Sequence, residues 1–206
     1  MNDKKADFLL AASNVFMKYG IKSVTMDEMA RQLGMSKKTI YTFVKDKNDL
    51  VTSCIRLGHE AEVKDICSIR DNAENAIDEF LEMSRVVSNR LKTIHPSIFF
   101  DLQKYHTKVF TEFNKSTNEF IMKSVIENLT MGKEQGLYRQ NIDNEIMARM
   151  YVSHVFYLFN GEVFPANEFS YSTVHSEFFR YHIRGISSKK GLIYLQDLIK
   201  TKKYDL

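Results

Sequence analysis

The sequence predicts an all-α protein, and three observations support that prediction. The 206 residues include only two Pro and eight Gly, and no segment is rich in Gly or Ser, so few positions favour turns between strands. Apolar residues recur at helical spacing along most of the chain, and residues that can cap helices precede several of these stripes. The length allows one large or two small domains with a sizeable core.

Residues 1–20 are predicted to form the first helix. The segment faintly resembles a signal peptide, but its apolar side chains keep helical periodicity across the polar Asn14 and Lys18. These apolar positions are Phe8, Ala12, Val15, Phe16 and Tyr19. The periodicity favours a helix of the folded protein.

A second, short helix is predicted to begin at Thr25. The Thr25 hydroxyl can accept a hydrogen bond from the backbone N–H of Glu28, and the Glu28 carboxylate can accept one from the Thr25 N–H, which is a capping box. Gly34 stands where helices commonly end in a left-handed conformation. The apolar stripe between these two ends consists of Met26, Met29, Ala30 and Leu33.

A third helix is predicted directly after this turn, with Ser36 as its cap. Its buried side consists of Ile40, Phe43 and Val44, and its outward side of Lys37, Lys38, Thr39, Tyr41 and Thr42. Such a helix start suits a groove lined by phosphates, because amides and lysines bind phosphates and short polar side chains reach base edges. Residues 25–44 therefore predict a DNA-reading helix-turn-helix, with an ordinary surface turn as the alternative.

The excess positive charge lies in the same part of the chain. The formal net charge is only +3. Residues 1–50 contain nine Lys or Arg against six Asp or Glu, whereas residues 51–206 contain twenty of each kind. Because the whole excess falls beside the predicted helix-turn-helix, it supports a nucleic-acid partner there.

The run TMDEMARQLGMSKKTIYTFVKDKNDL resembles the N-terminal signature of TetR-family transcriptional regulators, and the resemblance is specific over residues 8–50. The signature positions are Thr25, Gly34, Ser36, Tyr41, Phe43, Lys47 and Leu50, and Val44 stands where the family usually has Phe. The resemblance implies a helix-turn-helix domain over residues 1–46 and a helical ligand-binding and dimerisation domain over residues 47–206. The expected DNA-binding residues are Thr25, Ser36, Lys37, Lys38, Thr39, Tyr41, Thr42 and Lys47.

Beyond the helix-turn-helix the chain predicts further helices. Asp46 can cap a fourth helix that runs to about residue 70, and the stripe from Ala76 to Ile94 predicts a fifth. Pro96 ends that stripe and can open a short helix, and another is expected over about 107–131. A last amphipathic helix is predicted in the Lys-rich C-terminal segment.

Residues 144–160 are apolar most of the way round a helix, so this helix must be buried on all sides. One face can pack on the core and another on a second subunit. A helix over 172–187 could be its partner, since two C-terminal helices of each subunit form a four-helix dimer interface in similar proteins. The expected interface residues are Val152, Phe156, Phe159, Phe178, Phe179 and His182. A central core helix in a monomer is the alternative.

The helices between residues 80 and 151 are rich in Phe, Tyr and Met. The family resemblance implies a small-molecule pocket here, although cores have the same composition and sequence cannot separate the two. The candidate ligand-binding residues are Phe80, Met83, Ser84, Val87, Phe99, Phe100, Tyr105, His106, Phe110, Phe113, Met150 and Tyr151.

Common catalytic signatures are absent from the sequence, which has no G-x-G-x-x-G, G-x-x-x-x-G-K-[ST], G-x-S-x-G or H-E-x-x-H motif. We expect no enzyme activity, catalytic residue, metal site or cofactor. Cys54 and Cys67 lie too far apart along one predicted helix for a disulfide. The longest uncharged run, Met150–Gly161, has 12 residues, against roughly 20 needed to span a bilayer. These features predict a cytoplasmic protein without a membrane partner.

These features together predict a homodimeric transcriptional regulator that binds double-stranded DNA at a palindromic operator. The expected mode is repression, with release by a small hydrophobic or amphipathic effector. One alternative is a ligand-independent DNA-binding regulator of the same fold. The other is a helical enzyme or a lipid-binding protein whose basic turn is incidental.

Overall fold

The computed structural model describes residues 3–201, and this part of the chain folds into ten α-helices without a β-strand. The helices are α1 (Asp3–Tyr19), α2 (Met26–Leu33), α3 (Lys37–Ile40), α4 (Lys47–Asn72), α5 (Ala76–Leu91), α6 (Ile98–Tyr105), α7 (Thr107–Glu134), α8 (Asn144–Leu158), α9 (Tyr171–Ile186) and α10 (Lys189–Lys200). The all-α prediction is confirmed, and every predicted helix has an observed counterpart in the same order.

Short polar side chains cap most of these helix starts, as the sequence pattern favours. Their oxygen atoms accept hydrogen bonds from amides of the first turn, which otherwise have no partner within the helix. These caps are Thr25, Ser36, Asn75, Asp143, Ser170 and Ser188. Asp46 precedes α4 and accepts the Asp49 N–H at 2.8 Å, so the predicted cap at Asp46 is confirmed.

The chain divides into two compact units. Unit 1 comprises the residues up to Lys64 together with Thr93–Thr117, and unit 2 comprises Asp65–Lys92 together with the residues from Asn118 onward. This division differs from a cut at residue 46, because α6 packs its buried Ile98 and Leu102 into the same core as α1–α4.

The core of unit 1 holds the helix-turn-helix in place. Met29 of α2 and Ile40 of α3 are almost fully buried, and they belong to one cluster with Phe8 and Phe16 of α1 and with Leu50 of α4. Burying a large apolar side chain stabilises a fold by roughly 1.5–3 kcal/mol. The orientation of α3 is therefore fixed by its apolar side, which leaves its polar side facing out.

The core of unit 2 contains an apolar cluster and a buried group of polar side chains whose hydrogen bonds are made within the protein. Asn128 of α7 donates to the Ala76 carbonyl at 2.8 Å and to the Glu79 carboxylate at 2.9 Å, and the Tyr138 hydroxyl lies 3.0 Å from the Asn128 amide oxygen. Gly132 lies directly against the Tyr138 ring, where a Cβ atom would collide with it. These contacts join α5 and α7 to the segment that follows α7.

Helix α8 is not buried on all sides within one protomer, which disfavours the alternative of a central core helix in a monomer for residues 144–160. Burial of its other face in a second subunit stays a prediction. Ala148, Tyr151 and Leu158 are buried against the rest of unit 2. The opposite face exposes Ile146, Met150, Phe156 and Tyr157 by 41–58%. The helix thus has a covered side, packed on α9, and an apolar side that nothing in unit 2 covers.

No helix in the described part of the chain combines the length and the hydrophobicity that a membrane span requires.

Candidate nucleic-acid interface

Local hydrogen bonds build the turn between α2 and α3. The Thr25 hydroxyl accepts the Glu28 N–H at 3.1 Å at the start of α2. Gly34 ends α2 in the left-handed region, with φ of 62° and ψ of 29°, where glycine has no steric penalty. The Ser36 hydroxyl then accepts the Thr39 N–H at 3.0 Å at the start of α3. The predicted helix-turn-helix geometry is confirmed.

One half of the predicted capping box at α2 is wrong. The Glu28 carboxylate does not reach back to the Thr25 N–H but accepts from Gln32 at 2.7 Å and from Arg31 at 2.7 Å. These donors, with Gln32 first, lower the pKa of Glu28. The Arg31 guanidinium adds an opposite charge and two-pronged bonding that the Thr25 N–H does not offer, so the carboxylate turns toward the helix surface.

The apolar side of the helix-turn-helix is packed as the sequence predicts. Phe43 stacks on Phe8 of α1 with ring centroids 5.0 Å apart. The most deeply buried side chains here are Val24, Met29, Ile40 and Val44, all at most 3% exposed. Val44, where the family usually has Phe, is therefore a core residue of this unit.

The predicted DNA-reading residues are all exposed. Lys37, Lys38 and Thr39 lie on the outward side of α3, and Tyr41 and Thr42 lie in the turn that directly follows it. Lys37 does not point freely outward, because its ammonium group lies 2.8 Å from the Asp27 carboxylate of α2. This contact raises the pKa of Lys37. Two hydroxyl groups also have internal partners: Thr42 donates to the Thr39 carbonyl at 2.6 Å, and Thr39 lies 2.8 Å from the Ser36 hydroxyl.

Lys47 differs from the other candidate cations because it is half-buried. Its ammonium group donates to the Lys22 carbonyl at 3.4 Å, and burial lowers its pKa. This contact ties the start of α4 to the segment between α1 and α2. A bond between Lys47 and a DNA phosphate stays a prediction.

A buried carboxylate on α6 positions the segment that leads into α2. Asp101 is 3% exposed, and its Oδ2 accepts the Lys22 N–H at 2.8 Å and the Ser97 hydroxyl at 3.2 Å. Gly20 begins this segment with φ of 79°, and a Cβ there would lie 2.6 Å from Ser97 Oγ. The approach of α6 to the segment therefore requires glycine at residue 20.

Sequence reasoning missed Asp101. No local pattern identifies it, because its partner Lys22 lies 79 residues away in the chain. The one available signal was a carboxylate between the apolar residues of the short helix α6.

The candidate ligand-binding residues fall into two groups, one in each unit. In unit 2, Phe80, Met83, Ser84 and Tyr151 are buried, Val87 is half-buried, and Met150 is 58% exposed on the uncovered side of α8. In unit 1, Phe99, His106, Phe110 and Phe113 are half-buried, whereas Phe100 and Tyr105 are exposed. Exposure is unfavourable for a pocket-lining role of Met150, Phe100 and Tyr105, and a role for the remaining residues stays a prediction.

The candidate dimer-interface residues differ in how much surface they offer. Phe156 is 41% exposed, and Val152, Phe159 and Phe178 are half-buried. Phe179 and His182 are only 2% and 8% exposed, because both pack on Phe80 of α5. These two side chains belong to the core of the protomer and offer little area to a second subunit.

In the described residues, nothing supports metal binding or a reactive cysteine. No group of three or more His, Cys, Asp or Glu side chains there is arranged to hold a metal ion. Cys54 is buried in unit 1, and burial raises the pKa of its thiol to about 11, which disfavours the reactive thiolate. Cys67 is exposed.

Comparison with known proteins matches residues 8–54 to the family described as bacterial regulatory proteins, tetR family. A 48-residue segment is 44% identical to the HTH-type transcriptional regulator YhgD of Bacillus subtilis, covering 23% of this chain and 25% of YhgD. A 142-residue alignment with the HTH-type transcriptional regulator YvaF of the same organism is 25% identical and covers 68% of this chain and 73% of YvaF. The family match spans α1 to the start of α4, which are the helices that build the helix-turn-helix.

The fold is also similar to a solved structure described as a transcriptional regulator from Saccharomonospora viridis in complex with choline. The TM-score is 0.69 at 16% sequence identity, and the alignment covers 92% of this chain and all of that chain. At this identity the likeness concerns the fold.

Proposed function

We propose that this chain, which belongs to the TetR family of DNA-binding transcriptional regulators, acts as a homodimeric repressor at a palindromic operator and is released by a small-molecule effector. The observation that best supports this proposal is the polar outward side of α3. Exposed lysines and hydroxyl groups lie there on a helix whose other side is fixed in the core. Family membership makes the chain a binding protein and not an enzyme.

The side chains of this surface suit two kinds of DNA contact. The ammonium groups of Lys37 and Lys38 bind phosphates, and such contacts set the register of the protein on the duplex. The hydroxyl and methyl groups of Thr39 and Thr42 suit base edges in the major groove, where they read sequence. The four-residue α3 is short, so its first turn has to make most of these contacts.

The proposed dimer rests on the uncovered side of α8. Ile146, Met150, Phe156 and Tyr157 give this side four exposed apolar side chains, and removing such apolar surface from water is favourable. Tyr181 of α9 adds a side chain that is 80% exposed. A symmetric pairing of α8 and α9 would cover these side chains. A dimer on a palindromic operator has to place its two helix-turn-helix heads in successive major grooves, about 34 Å apart.

The proposed effector acts by population shift. A ligand that binds one spacing of the two heads more tightly than the other moves the protein toward that spacing, and a spacing that no longer fits the operator releases it. The choline bound to the Saccharomonospora viridis regulator gives a precedent for a small ligand on this fold. We take the ligand-free protein on its operator to repress transcription, and ligand binding to relieve that repression.

Selection of bound sites from a random pool of duplex DNA tests the proposal. The full-length protein should enrich an inverted repeat, and its stoichiometry on that site should be two chains per duplex. A reporter downstream of the selected site should be expressed less when the protein is present. Failure to enrich any sequence would refute operator recognition, and a motif without twofold symmetry would refute the symmetric dimer.

A further inference from the structure

A group of aromatic rings and imidazoles lies where α5, α8 and α9 meet in unit 2. Phe80 has its ring centroid 5.2 Å from Phe179 and 5.3 Å from Tyr151, and Tyr151 lies 5.0 Å from His182. The three histidines of this region, His154, His175 and His182, are called the imidazole cluster below.

Each member of the imidazole cluster has a buried ring nitrogen without a hydrogen-bond partner in the described residues. These atoms are His154 Nε2, His175 Nδ1 and His182 Nε2. His175 and His182 are only 4% and 8% exposed. A buried nitrogen that loses its bond to water without gaining another is destabilising.

The same unit satisfies a buried polar group well where that group serves the fold. The Asn128 amide has two acceptors and its oxygen has the Tyr138 hydroxyl, all within 3.0 Å. Unit 2 has other buried side-chain atoms without a partner, such as Asp78 Oδ1 and Arg180 Nε, but the imidazole cluster contributes three ring nitrogens of this kind. A ligand that brings its own polar group would satisfy them.

The charge state of the cluster restricts the ligand. Burial, with repulsion from His154 as the second cause, lowers the pKa of His175 and of His182 to about 4, so both rings are neutral at pH 7. No carboxylate or ammonium group in the described residues contributes to either shift. A charged headgroup would lack a counter-charge here, and burying an unpaired charge is unfavourable.

The surroundings restrict the rest of the ligand. The rings of Phe80, Tyr151 and Phe179 provide an apolar wall. His154 and Phe178 are half-buried and stack face to face with centroids 3.4 Å apart, so they form the outer edge of the cluster. A ligand entering from the surface of unit 2 has to separate this pair.

We propose that the imidazole cluster is the polar subsite for the effector, and that it takes an uncharged, mainly apolar molecule carrying a hydroxyl or carbonyl group. This rests on the proposed control by an effector and names its chemical class. A neutral imidazole has one donor and one acceptor nitrogen, so it can bind either of these groups. Organic anions and quaternary ammonium ions are disfavoured by the same geometry.

Three probes with one chain length test this preference: 1-decanol below its solubility limit, and decanoate and decyltrimethylammonium below their micelle concentrations. Binding to the full-length protein is measured by calorimetry at pH 7.5, and the melting temperature is measured in parallel, since a ligand of the native state raises it. We expect 1-decanol to bind at least about tenfold more tightly than either charged probe, which corresponds to about 1.4 kcal/mol.

Matched variants separate a ligand subsite from a structural role. His182→Phe and His175→Phe keep a ring of similar shape and remove the unpaired nitrogen, so each variant should melt at a higher temperature without ligand. Each should also lose about tenfold in affinity for 1-decanol. His59→Phe, the same substitution in unit 1, is the control and should leave the affinity unchanged. His182→Gln serves if a Phe variant fails to fold, because it keeps a polar group and should retain part of the preference.

Three results would overturn the proposal. They are equal binding of the three probes, tighter binding of a charged probe, and an unchanged 1-decanol affinity in both Phe variants. If the 1-decanol affinity is unchanged in both Phe variants while their melting temperatures are higher, the unpaired ring nitrogens bind only water. The assay contains no DNA, so its outcome is independent of operator recognition, which the site selection tests separately.

Discussion

The carboxylate of Asp101 accepts the backbone N–H of Lys22 at 2.8 Å, and this bond fixes the segment before α2 from a helix 79 residues further along the chain. The segment runs directly into Thr25, which caps α2. The position of the first helix of the helix-turn-helix therefore depends on α6 as well as on its own capping.

Replacing Asp101 with Ala should destabilise the protein by about 1–3 kcal/mol, because it removes a buried carboxylate that accepts from the part-buried Lys22 amide and Ser97 hydroxyl. Urea unfolding measures the change. Asp71→Ala, at an exposed position of α4, is the control and should change stability by less than about 0.5 kcal/mol. Equal effects of the two substitutions would show that the Asp101 contacts do not stabilise the fold.

Replacing Lys38 with Gln should flatten the salt dependence of operator binding. If its ammonium group binds a phosphate, the slope of log K against log[salt] should decrease in magnitude by about 0.9 for each subunit, because fewer counterions are released. Lys64→Gln, an exposed lysine of α4, should leave the slope unchanged. An unchanged slope for Lys38→Gln would exclude that phosphate contact.

Replacing Asp27 with Asn should strengthen operator binding. The Asp27 carboxylate holds the Lys37 ammonium group 2.8 Å away, and phosphate has to compete with it. Because exposed ion pairs are weak, the gain should be roughly two- to fivefold. Asp7→Asn on α1 removes one negative charge elsewhere in unit 1 and controls for the net charge. A gain of the same size in both variants would attribute the effect to long-range charge alone.

Replacing Phe156 with Glu should give monomers. The side chain is 41% exposed in the protomer, so the variant can fold, but a dimer formed through this face would bury an unpaired carboxylate. Sedimentation velocity measures the oligomeric state. Val163→Glu, which replaces an exposed apolar residue outside the helices, should remain a dimer. A stable Phe156→Glu dimer would place the interface elsewhere.

Stability should fall as the pH decreases from about 6.5 to about 4. The pKa values of His175 and His182 are about 4 in the folded protein against an ordinary value of 6.5, so the unfolded chain binds more protons in this window. Proton uptake by the unfolded chain at each imidazole should lower the free energy of unfolding by up to about 3 kcal/mol between pH 6.5 and pH 4. The double variant His175→Phe/His182→Phe, studied by urea unfolding at pH 7 and pH 5, should lose most of this dependence. A dependence that persists would assign it to other groups.

The helices could be predicted because their signals are local. Caps such as Thr25 and Ser36, and the left-handed Gly34, act within a few residues of the chain. The same locality explains the error at Glu28, where two neighbouring donors compete for one carboxylate and the sequence does not rank them.

The site could be predicted less completely, because burial depends on contacts between distant residues. Periodicity marked Phe179 and Phe156 alike as apolar, yet Phe179 packs on Phe80 in the core whereas Phe156 lies on the surface. Asp101 and the imidazole cluster likewise depend on which helices meet, and a single sequence taken alone does not contain that information.

The contact between Gly132 and Tyr138 has a consequence for the evolution of this chain. A side chain at residue 132 would occupy the space of the Tyr138 ring, and the Tyr138 hydroxyl bonds the Ala76 carbonyl and Asn128. A mutation to a larger residue at position 132 is tolerated only if the Tyr138 ring has already been lost. Loss of the ring while residue 132 is still glycine leaves a cavity in the core. In an alignment of relatives, these two positions should therefore covary, with glycine wherever the aromatic ring is kept.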